Sequence, residues 1–259
     1  MDHNEMVELA RDHARQKPFL QFASLFSPEK VIGFDKIRVG SETDGGYVML
    51  DDFDDVDLAL SFGVDINADW DVEVAEREIK VQQFDHSVPQ SPVDHPQISF
   101  FKEMITPTGD EPDSNSIAKI LNSAGVRRDA SVILKIDIES AEWDVLDACP
   151  MPALKRFSQI LIELHNFELA IDPYWLMRAT RVMKKLKELF GVYHVHANNW
   201  SPMAAIGNVY FPGTLEVSMA SKSRYKFERS DELFPTRLDA PNNPLRPDLY
   251  LGTFQFRPI

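Results

Sequence analysis

The chain has 259 residues, a length that suits one large α/β domain with appendages and a sizeable core. Lys and Arg number 27 against 41 Asp and Glu, and the formal net charge of −14 disfavours nucleic acid and anionic membrane surfaces as partners. Cys149 is the only cysteine, which excludes an intramolecular disulfide and a cysteine-based zinc cluster.

The N-terminal segment, residues 1–30, is predicted to be a helical appendage. Apolar residues spaced three and four apart over 3–26 predict a helix pair broken at Pro18. The first residues lack the basic start and apolar stretch of a signal peptide, and no run reaches the roughly 18 apolar residues of a membrane span. We therefore expect a soluble, cytoplasmic protein.

Two short apolar segments, 36–40 and 47–50, flank a turn that contains Gly45 and Gly46. They predict two strands joined by residues that tolerate positive φ angles. Two interpretations stay open for this turn. It is either a plain hairpin or a loop whose glycine backbone approaches a ligand closely.

Alternating element types begin at residue 58. The sequence predicts a strand over 58–63, a helix over 68–78 and a strand over 80–85 that ends in an acid. Asp85 stands 85 − 63 = 22 positions after Gly63, as in the first half of a nucleotide-binding α/β unit. The intervening turn has acids instead of a glycine-rich phosphate-binding pattern, which favours a ligand with a positive group and no phosphate.

Further strands and helices complete one predicted domain over 31–220. Strands are predicted over 98–102, 131–139, 157–165 and 191–197, with helices over 117–124, after 139 and over 173–190. Residues 205–211 and 214–219 are predicted to form a sheet-edge hairpin around Pro212 and Gly213. The Pro-rich segment 221–259 is predicted to wrap the domain as ordered coil.

The predicted strand 131–139 alternates three charges, Lys135, Asp137 and Glu139, on one face. Charges inside a strand are costly to bury unless they are paired or used. In open α/β sheets they often serve a ligand, because the crevice lies outside the carboxyl ends of the strands. A structural salt-bridge cluster is the alternative.

Polar residues follow several of the predicted strands. In chain order they are Asp65, Asp85, Asp137, Glu139, Glu163, His165, Asn166, His194, His196 and Asn198. Because the carboxyl ends of parallel strands meet at one edge of a sheet, these side chains are expected to converge in one crevice.

The chain resembles the FkbM-type class I methyltransferases, which use S-adenosylmethionine. The resemblance covers roughly residues 36–219. It is carried by the segments Leu134-Lys135-Ile136-Asp137-Ile138-Glu139-Ser140-Ala141-Glu142-Trp143, Asp44-Gly45-Gly46-Tyr47-Val48 and Ser61-Phe62-Gly63-Val64. It implies a Rossmann-like, seven-stranded α/β sheet with helices on both faces, an antiparallel C-terminal hairpin and the helical N-terminal appendage.

The resemblance also implies a set of cofactor-binding residues. These are Asp44, Gly46, Tyr47, Gly63, Asp65, Phe84, Asp85 and His86. In this interpretation Gly63 lets the backbone approach the methionine part, Asp85 binds the ribose hydroxyls, and Phe84 or His86 flanks the adenine. A sulfonium and an ammonium group without phosphate suit an acid-rich turn.

Methyl transfer to a hydroxyl requires removal of a proton, for which His165 is the predicted base and Asp137 the group facing it. A buried structural histidine is the alternative for His165. A metal site of Asp137, His165 and Asn166 is also predicted, with Mg²⁺ or Mn²⁺ favoured by its oxygen and nitrogen ligands.

The predicted function is O-methylation of a sugar or another small polyhydroxylated acceptor in glycan or natural-product biosynthesis. A small-molecule N-methyltransferase and an inactive cofactor-binding or scaffold protein are the alternatives. The sequence leaves the acceptor and the oligomeric state open.

Overall fold

The computed structural model describes residues 12–127 and 130–257. Within them the helices are α1 (His13–Ala23), α2 (Asp69–Ala75), α3 (Ile117–Ser123), α4 (Glu142–Ala148), α5 (Met151–Leu154) and α6 (Pro173–Leu189), with 3-10 turns at Ser24–Phe26 and Phe167–Ile171. The strands are β1 (Glu29–Val31), β2 (Lys36–Val39), β3 (Tyr47–Leu50), β4 (Val56–Phe62), β5 (Lys80–Phe84), β6 (Ile98–Phe101), β7 (Met104–Ile105), β8 (Ser114–Asn115), β9 (Ser131–Ile136), β10 (Phe157–Leu164), β11 (Phe190–Ala197), β12 (Met203–Ile206), β13 (Val209–Pro212), β14 (Leu215–Ser221) and β15 (Phe227–Arg229).

A seven-stranded sheet in the order β11-β14-β10-β9-β4-β5-β6 forms the centre of the molecule. Strands β10, β9, β4, β5 and β6 are paired in parallel, whereas β14 runs antiparallel to both of its neighbours, β10 and β11. Helices cover both faces. The predicted α/β fold with a seven-stranded sheet is confirmed.

The central strands are buried on both faces, so alternate residues enter two different cores. Leu60, Leu134 and Ile162 lie in the larger core, which includes α4 and α6. Ala59 and Ile133 lie in the smaller core, which α2 and the β2–β3 hairpin cover. This two-sided burial explains the nearly continuous apolar sequence of the parallel strands.

Strand β9 ends at Ile136, three residues earlier than predicted. The backbone N–H of Asp137 still donates to the carbonyl of Phe62, but Glu139 and Ser140 have φ angles of 52° and 86° and turn the chain away. The side chain of Glu139 is 89% exposed. The prediction that Glu139 shares a strand face with Lys135 and Asp137 is therefore wrong.

The antiparallel hairpin at the C-terminal end differs from the predicted pairing. Strand β12 turns at Gly207 and Asn208, whose φ angles are 56° and 63°, and pairs with β13. Positive φ at two central residues makes a two-residue hairpin turn. The segment Leu215–Ser221, predicted to pair with 205–211, lies instead between β10 and β11 in the main sheet.

Helix α1 continues through Pro18, where a break was predicted. The aromatic residues on its inner side, Phe19 and Phe22, are fully buried and pack with Phe167, Phe211 and the indole of Trp175. This burial offsets the backbone hydrogen bond that proline cannot donate. The part of the predicted helix pair before residue 12 lies outside the described residues.

Up to residue 257, the segment after β14 contains the short strand β15 and otherwise crosses the molecule without helices or strands. Phe234 is fully buried, and its backbone pairs with that of Gly252. In the two described ranges, each helix is either too short or too polar to cross a bilayer.

Candidate ligand-binding site

A cavity of about 520 Å³ lies where the strand order reverses. From β4 the chain continues to β5 and β6 on one side, and β9 and β10 lie on the other side. The carboxyl ends of β4 and β9 flank the cavity, since Gly63 and Asp137 follow these strands and line it. In open α/β sheets this switch point is where ligands bind.

The turn after β4 is held by Asp85, which follows β5. One carboxylate oxygen of Asp85 accepts hydrogen bonds from the backbone N–H groups of Val64 (2.8 Å) and Asp65 (2.9 Å). The other accepts from the backbone N–H (2.7 Å) and the hydroxyl (2.6 Å) of Ser87. Burial alone would raise the pKa of Asp85, but the bonds from Ser87, Asp65 and Val64 outweigh burial and lower this pKa.

Position 63 requires glycine because the backbone of the neighbouring strand leaves no room for a side chain. A Cβ there would lie 1.6 Å from the carbonyl oxygen of Asp137, and the φ angle is +77°. The carbonyl of Gly63 accepts a 2.8 Å bond from Nζ of Lys135. The two switch-point strands thus meet through Gly63, Lys135 and Asp137.

The loop between β2 and β3 reaches the cavity and is organised by Arg38. The Arg38 guanidinium donates to the carbonyls of Ser41 (2.7 Å) and Thr43 (2.8 Å). Gly46 packs against this loop, because a Cβ on it would lie 1.9 Å from the carbonyl oxygen of Ser41. Of the two interpretations of the turn, the structure shows a hairpin whose loop also borders the cavity at Asp44.

Most of the predicted cofactor-binding residues come together at this cavity. Its lining includes Asp44, Gly63, Asp65, Phe84, Asp85 and His86. Gly46 and Tyr47 lie outside the lining. Gly46 faces Ser41, and the ring of Tyr47 is buried in the smaller core.

Asp137 lines the cavity and is largely shielded from water. The hydroxyl of Tyr47 donates to its Oδ2 over 3.4 Å, and its Oδ1 is buried with no hydrogen-bond partner among the described residues. Burial raises the pKa of Asp137 well above its usual range, and the charge of Glu163 adds to this effect. A carboxylate with a raised pKa is a stronger base than an ordinary aspartate.

His165 lies among three carboxylates. Its Nδ1 is 3.2 Å from Oε1 of Glu142, and its Nε2 is 3.3 Å from Glu163 and 3.7 Å from Glu139. Burial would lower the pKa of His165, but Glu142 and Glu163 raise it to about 11. A protonated imidazole donates hydrogen bonds and has no lone pair for a proton or a metal.

The predicted metal set is rearranged in the structure. Asp137 and His165 do lie together, with Glu142 as their third member and ligand atoms within 4.8 Å of one another. Asn166 has a left-handed backbone (φ 68°) and begins the 3-10 turn Phe167–Ile171. Both ring nitrogens of His165 face acids, Nδ1 facing Glu142 and Nε2 facing Glu163, and the metal site stays a prediction.

Glu142 was not predicted as a site residue, although it closes the acidic motif of the resemblance. It is fully buried, and its Oε1 accepts bonds from the backbone N–H groups of Ile138 (2.8 Å) and Ser140 (3.3 Å). Glu142 therefore fixes the loop after β9 and the orientation of His165 at the same time.

Two further histidines that the sequence places on a predicted strand, His194 and His196, lie outside the lining of the cavity. Nε2 of His194 is 2.7 Å from Asp239, and His196 lies between Glu216 (3.0 Å) and Asp248 (3.1 Å). Asp239 and Asp248, the two acids of the C-terminal segment, thus attach that segment to β11. These contacts support a structural role.

Comparisons with known proteins name no family for the chain. No family model and no curated protein match it. Among solved structures, the fibrillarin/Nop5p complex is similar at 11% identity and a TM-score of 0.36, over 64% of this chain and 73% of that chain. Spermidine synthase from Thermotoga maritima is similar at 12% identity and a TM-score of 0.35, over 74% and 73%, respectively.

The methyltransferase CalO6 is similar at 12% identity and a TM-score of 0.26, over 65% of this chain, which spans 58% of CalO6. Similarities this weak assign no activity to the chain.

Proposed function

We propose that this chain is an S-adenosylmethionine-dependent methyltransferase that acts on a hydroxyl of a small polyhydroxylated acceptor such as a sugar. The observation that carries the proposal is the cavity at the switch point. Carboxylates line this cavity. In the turn after β4, the backbone N–H groups of Val64 and Asp65 already donate to Asp85. The volume of about 520 Å³ lies within the range of about 300–1,000 Å³ that is usual for small-molecule sites.

The charge of the lining favours a cationic nucleoside over a phosphorylated one. Among the described lining residues are six acids: Asp44, Asp65, Asp85, Glu103, Asp137 and Glu139. The ammonium of Lys135 donates to the carbonyl of Gly63. Phosphate binding needs unpaired backbone amides at such a turn, whereas a sulfonium and an ammonium are attracted by the acids.

The residues present fit the proposed cofactor. The turn 63–67 would hold its amino-acid part, and Phe84 and His86 would flank its adenine, with Asp85 keeping the turn in shape and facing the ribose. When bound, the cofactor supplies a methyl group on a positively charged sulfur. The protein must then align an acceptor oxygen with that methyl group and remove its proton.

Asp137 is the group best placed to take the proton. It lines the cavity at the switch point, its Oδ1 has no partner among the described residues, and Tyr47 holds its other oxygen. His165 was predicted to be the base, but its position between Glu142 and Glu163 makes it a proton donor and a positive charge beside Asp137. We therefore assign the base to Asp137 and a positioning role to His165.

Calorimetric titration tests the cofactor. S-adenosylmethionine is expected to bind the wild-type chain, and NAD⁺ and ATP are expected to bind far more weakly because of their phosphates. Asp65→Asn, which removes one exposed charge from the turn, is expected to weaken binding, whereas Asp54→Asn on the distant loop before β4 leaves it unchanged. Equal binding of ATP and S-adenosylmethionine would contradict the proposal.

The concentration of carboxylates also favours a cationic acceptor, so N-methylation of a small amine is the second candidate function. An amine that is neutral when it reacts needs no strong base. Asp137→Asn is expected to lower O-methylation by about 10²–10⁴-fold with cofactor binding retained. Assays of the wild type and of Asp137→Asn with a panel of hydroxyl and amine acceptors separate the two functions. Amine methylation that survives Asp137→Asn supports the second one.

A further inference from the structure

Three carboxylates from distant parts of the chain meet beside the cavity. Asp44 comes from the β2–β3 loop, Glu163 from β10 and Glu216 from β14, and each offers an oxygen within 4.8 Å of the others. Glu163 and Glu216 are 4% and 6% exposed. They are also direct partners in the antiparallel register of β10 and β14. Like charges placed opposite each other on neighbouring strands destabilise a sheet.

The polar neighbours of these acids leave part of the charge uncompensated. Oε1 of Glu163 is contacted by Asn198 (2.9 Å) and His165 (3.3 Å), and Oε2 of Glu216 is contacted by His196 (3.0 Å). The second oxygen of Glu163, Oε2, is buried and has no hydrogen-bond partner in the described ranges. Burying a carboxylate oxygen without a partner is costly.

A fourth residue, Asn242, supplies an independent observation. It is 2% exposed, and its Nδ2 donates to Oε1 of Glu216 (2.6 Å) and Oδ1 of Asp44 (3.1 Å). The amide group thus sits against two of the three acids. Its Oδ1 is buried without a partner among the described residues. In this arrangement the amide nitrogen faces the acids. A half-turn of the amide group exchanges Nδ2 and Oδ1 and would direct Oδ1, a good ligand for a hard cation, at Asp44 and Glu216.

We propose that Asp44, Glu163, Glu216 and Asn242 form a binding site for a divalent cation of the Mg²⁺ or Ca²⁺ type. Oxygen atoms within 4.8 Å of one another can share one ion, because metal–oxygen distances are about 2.0–2.6 Å for these ions. The ion would neutralise the opposed glutamates of β10 and β14. It would also connect the hairpin loop, the sheet and the C-terminal segment at the rim of the cavity.

This site differs from the one predicted at Asp137, His165 and Asn166, and it shares no residue with that set. The proposal is also independent of methyl transfer, because ion binding is measured without cofactor or acceptor.

The test is calorimetric titration of Ca²⁺, Mg²⁺ and Mn²⁺ into the full chain after removal of metals with EDTA. One ion per chain is expected to bind with a dissociation constant below about 1 mM. Asp44→Asn is expected to weaken binding by at least about tenfold. Asp44 is exposed on a loop, so this variant is expected to fold, and Asp54→Asn is the charge-matched control.

Two further variants make the outcome decisive. Glu216→Gln is expected to abolish both ion binding and the ion-dependent rise of the melting temperature. If this buried variant does not fold, the ion affinity of Asp44→Asn decides whether the proposal holds. Asp137→Asn is expected to bind the ion as the wild type does. The proposal is overturned if no ion binds, if Asp44→Asn binds normally, or if only Asp137→Asn loses binding.

Discussion

Asp85 connects two strands of the sheet through a single carboxylate. Its four hydrogen bonds come from Val64, Asp65 and Ser87, so it shapes the turn that borders the cavity. The same bonds lower its pKa in the folded protein. A carboxylate with a lowered pKa stabilises the fold above the pKa of the unfolded chain, and this contribution is lost as the pH falls through the folded pKa.

Asp85→Asn is accordingly expected to lower the free energy of unfolding at pH 7 by about 1.5–3 kcal/mol, the value of hydrogen bonds to a charged group. The difference from wild type is expected to shrink below about pH 4, where the unfolded carboxylate is protonated. Urea unfolding of both proteins at pH 7 and pH 3 measures it. Asp65→Asn, at an exposed position of the same turn, is the control, and a pH-independent difference would contradict the charge argument.

Gly63 is a second position at which one residue decides local structure. Gly63→Ala adds a Cβ that would overlap the Asp137 carbonyl at 1.6 Å, whereas Gly33→Ala, at a φ of +85°, meets no atom within 4 Å. Both variants carry the cost of a left-handed backbone, about 1–2 kcal/mol. Chemical denaturation is expected to show a clearly larger loss for Gly63→Ala. Equal losses would mean that the β4 and β9 ends are not in contact.

Among the helices, α1 packs into the larger core. Phe22 lies 6.0 Å from the ring of Phe167 and 6.3 Å from that of Trp143. Trp143 in turn belongs to α4, and its indole N–H donates to the carbonyl of His165 over 2.9 Å. The helix thus supports the wall of the site from behind.

Phe22→Ala is expected to lower the free energy of unfolding by about 3–5 kcal/mol, because a large aromatic side chain leaves a cavity. Lys17→Ala, on the exposed side of the same helix, is expected to change it by less than about 0.5 kcal/mol. Thermal unfolding followed by circular dichroism checks both variants. A small effect of Phe22→Ala would show that α1 packs only loosely.

For the molecule as a whole, the C-terminal segment is attached by polar contacts to the carboxyl edge of the sheet. Asn199 accepts from the backbone N–H of Asn243 (2.7 Å) and donates to its carbonyl (3.0 Å). Further along, Gln255 donates to the carbonyl of Pro28 (2.8 Å) and Phe254 packs on Phe211. The segment therefore joins the N-terminal and C-terminal parts of the domain.

Asn199→Ala is expected to lower the free energy of unfolding by about 1–3 kcal/mol, because it removes the acceptor of the buried backbone N–H of Asn243. The carbonyl of Asn243 keeps the backbone N–H of Arg246 as a donor (3.1 Å). Limited proteolysis is expected to cut the segment after residue 230 faster in this variant, with mass spectrometry locating the cuts. Asn122→Ala, on an exposed face of α3, is the control. An unchanged cleavage rate would show that other contacts suffice to hold the segment.

The residue patterns of the sequence were sufficient to locate the central strands and to predict many of the residues that line the cavity. Buried parallel strands are mostly apolar runs, so β4, β9 and β10 could be located within a few residues. Strand β5 contains two glutamines and was located by its place between the helix and Asp85. The positions directly after these strands predicted that Asp65, Asp85 and Asp137 would meet. This worked because each of these signals is local and the topology of parallel strands brings their ends together.

The tertiary structure alone decided the contacts that no local pattern encodes. His165 reaches Glu142 because β10 pairs with β9 and the helix that carries Glu142 follows β9, whereas Glu163 is its neighbour two positions earlier in the chain. Asn242 reaches Asp44, 198 positions away in the chain, because the C-terminal segment crosses the sheet edge. Strand register and the path of that segment are set by packing over the whole molecule, so the proposed cation site has no signature in the sequence.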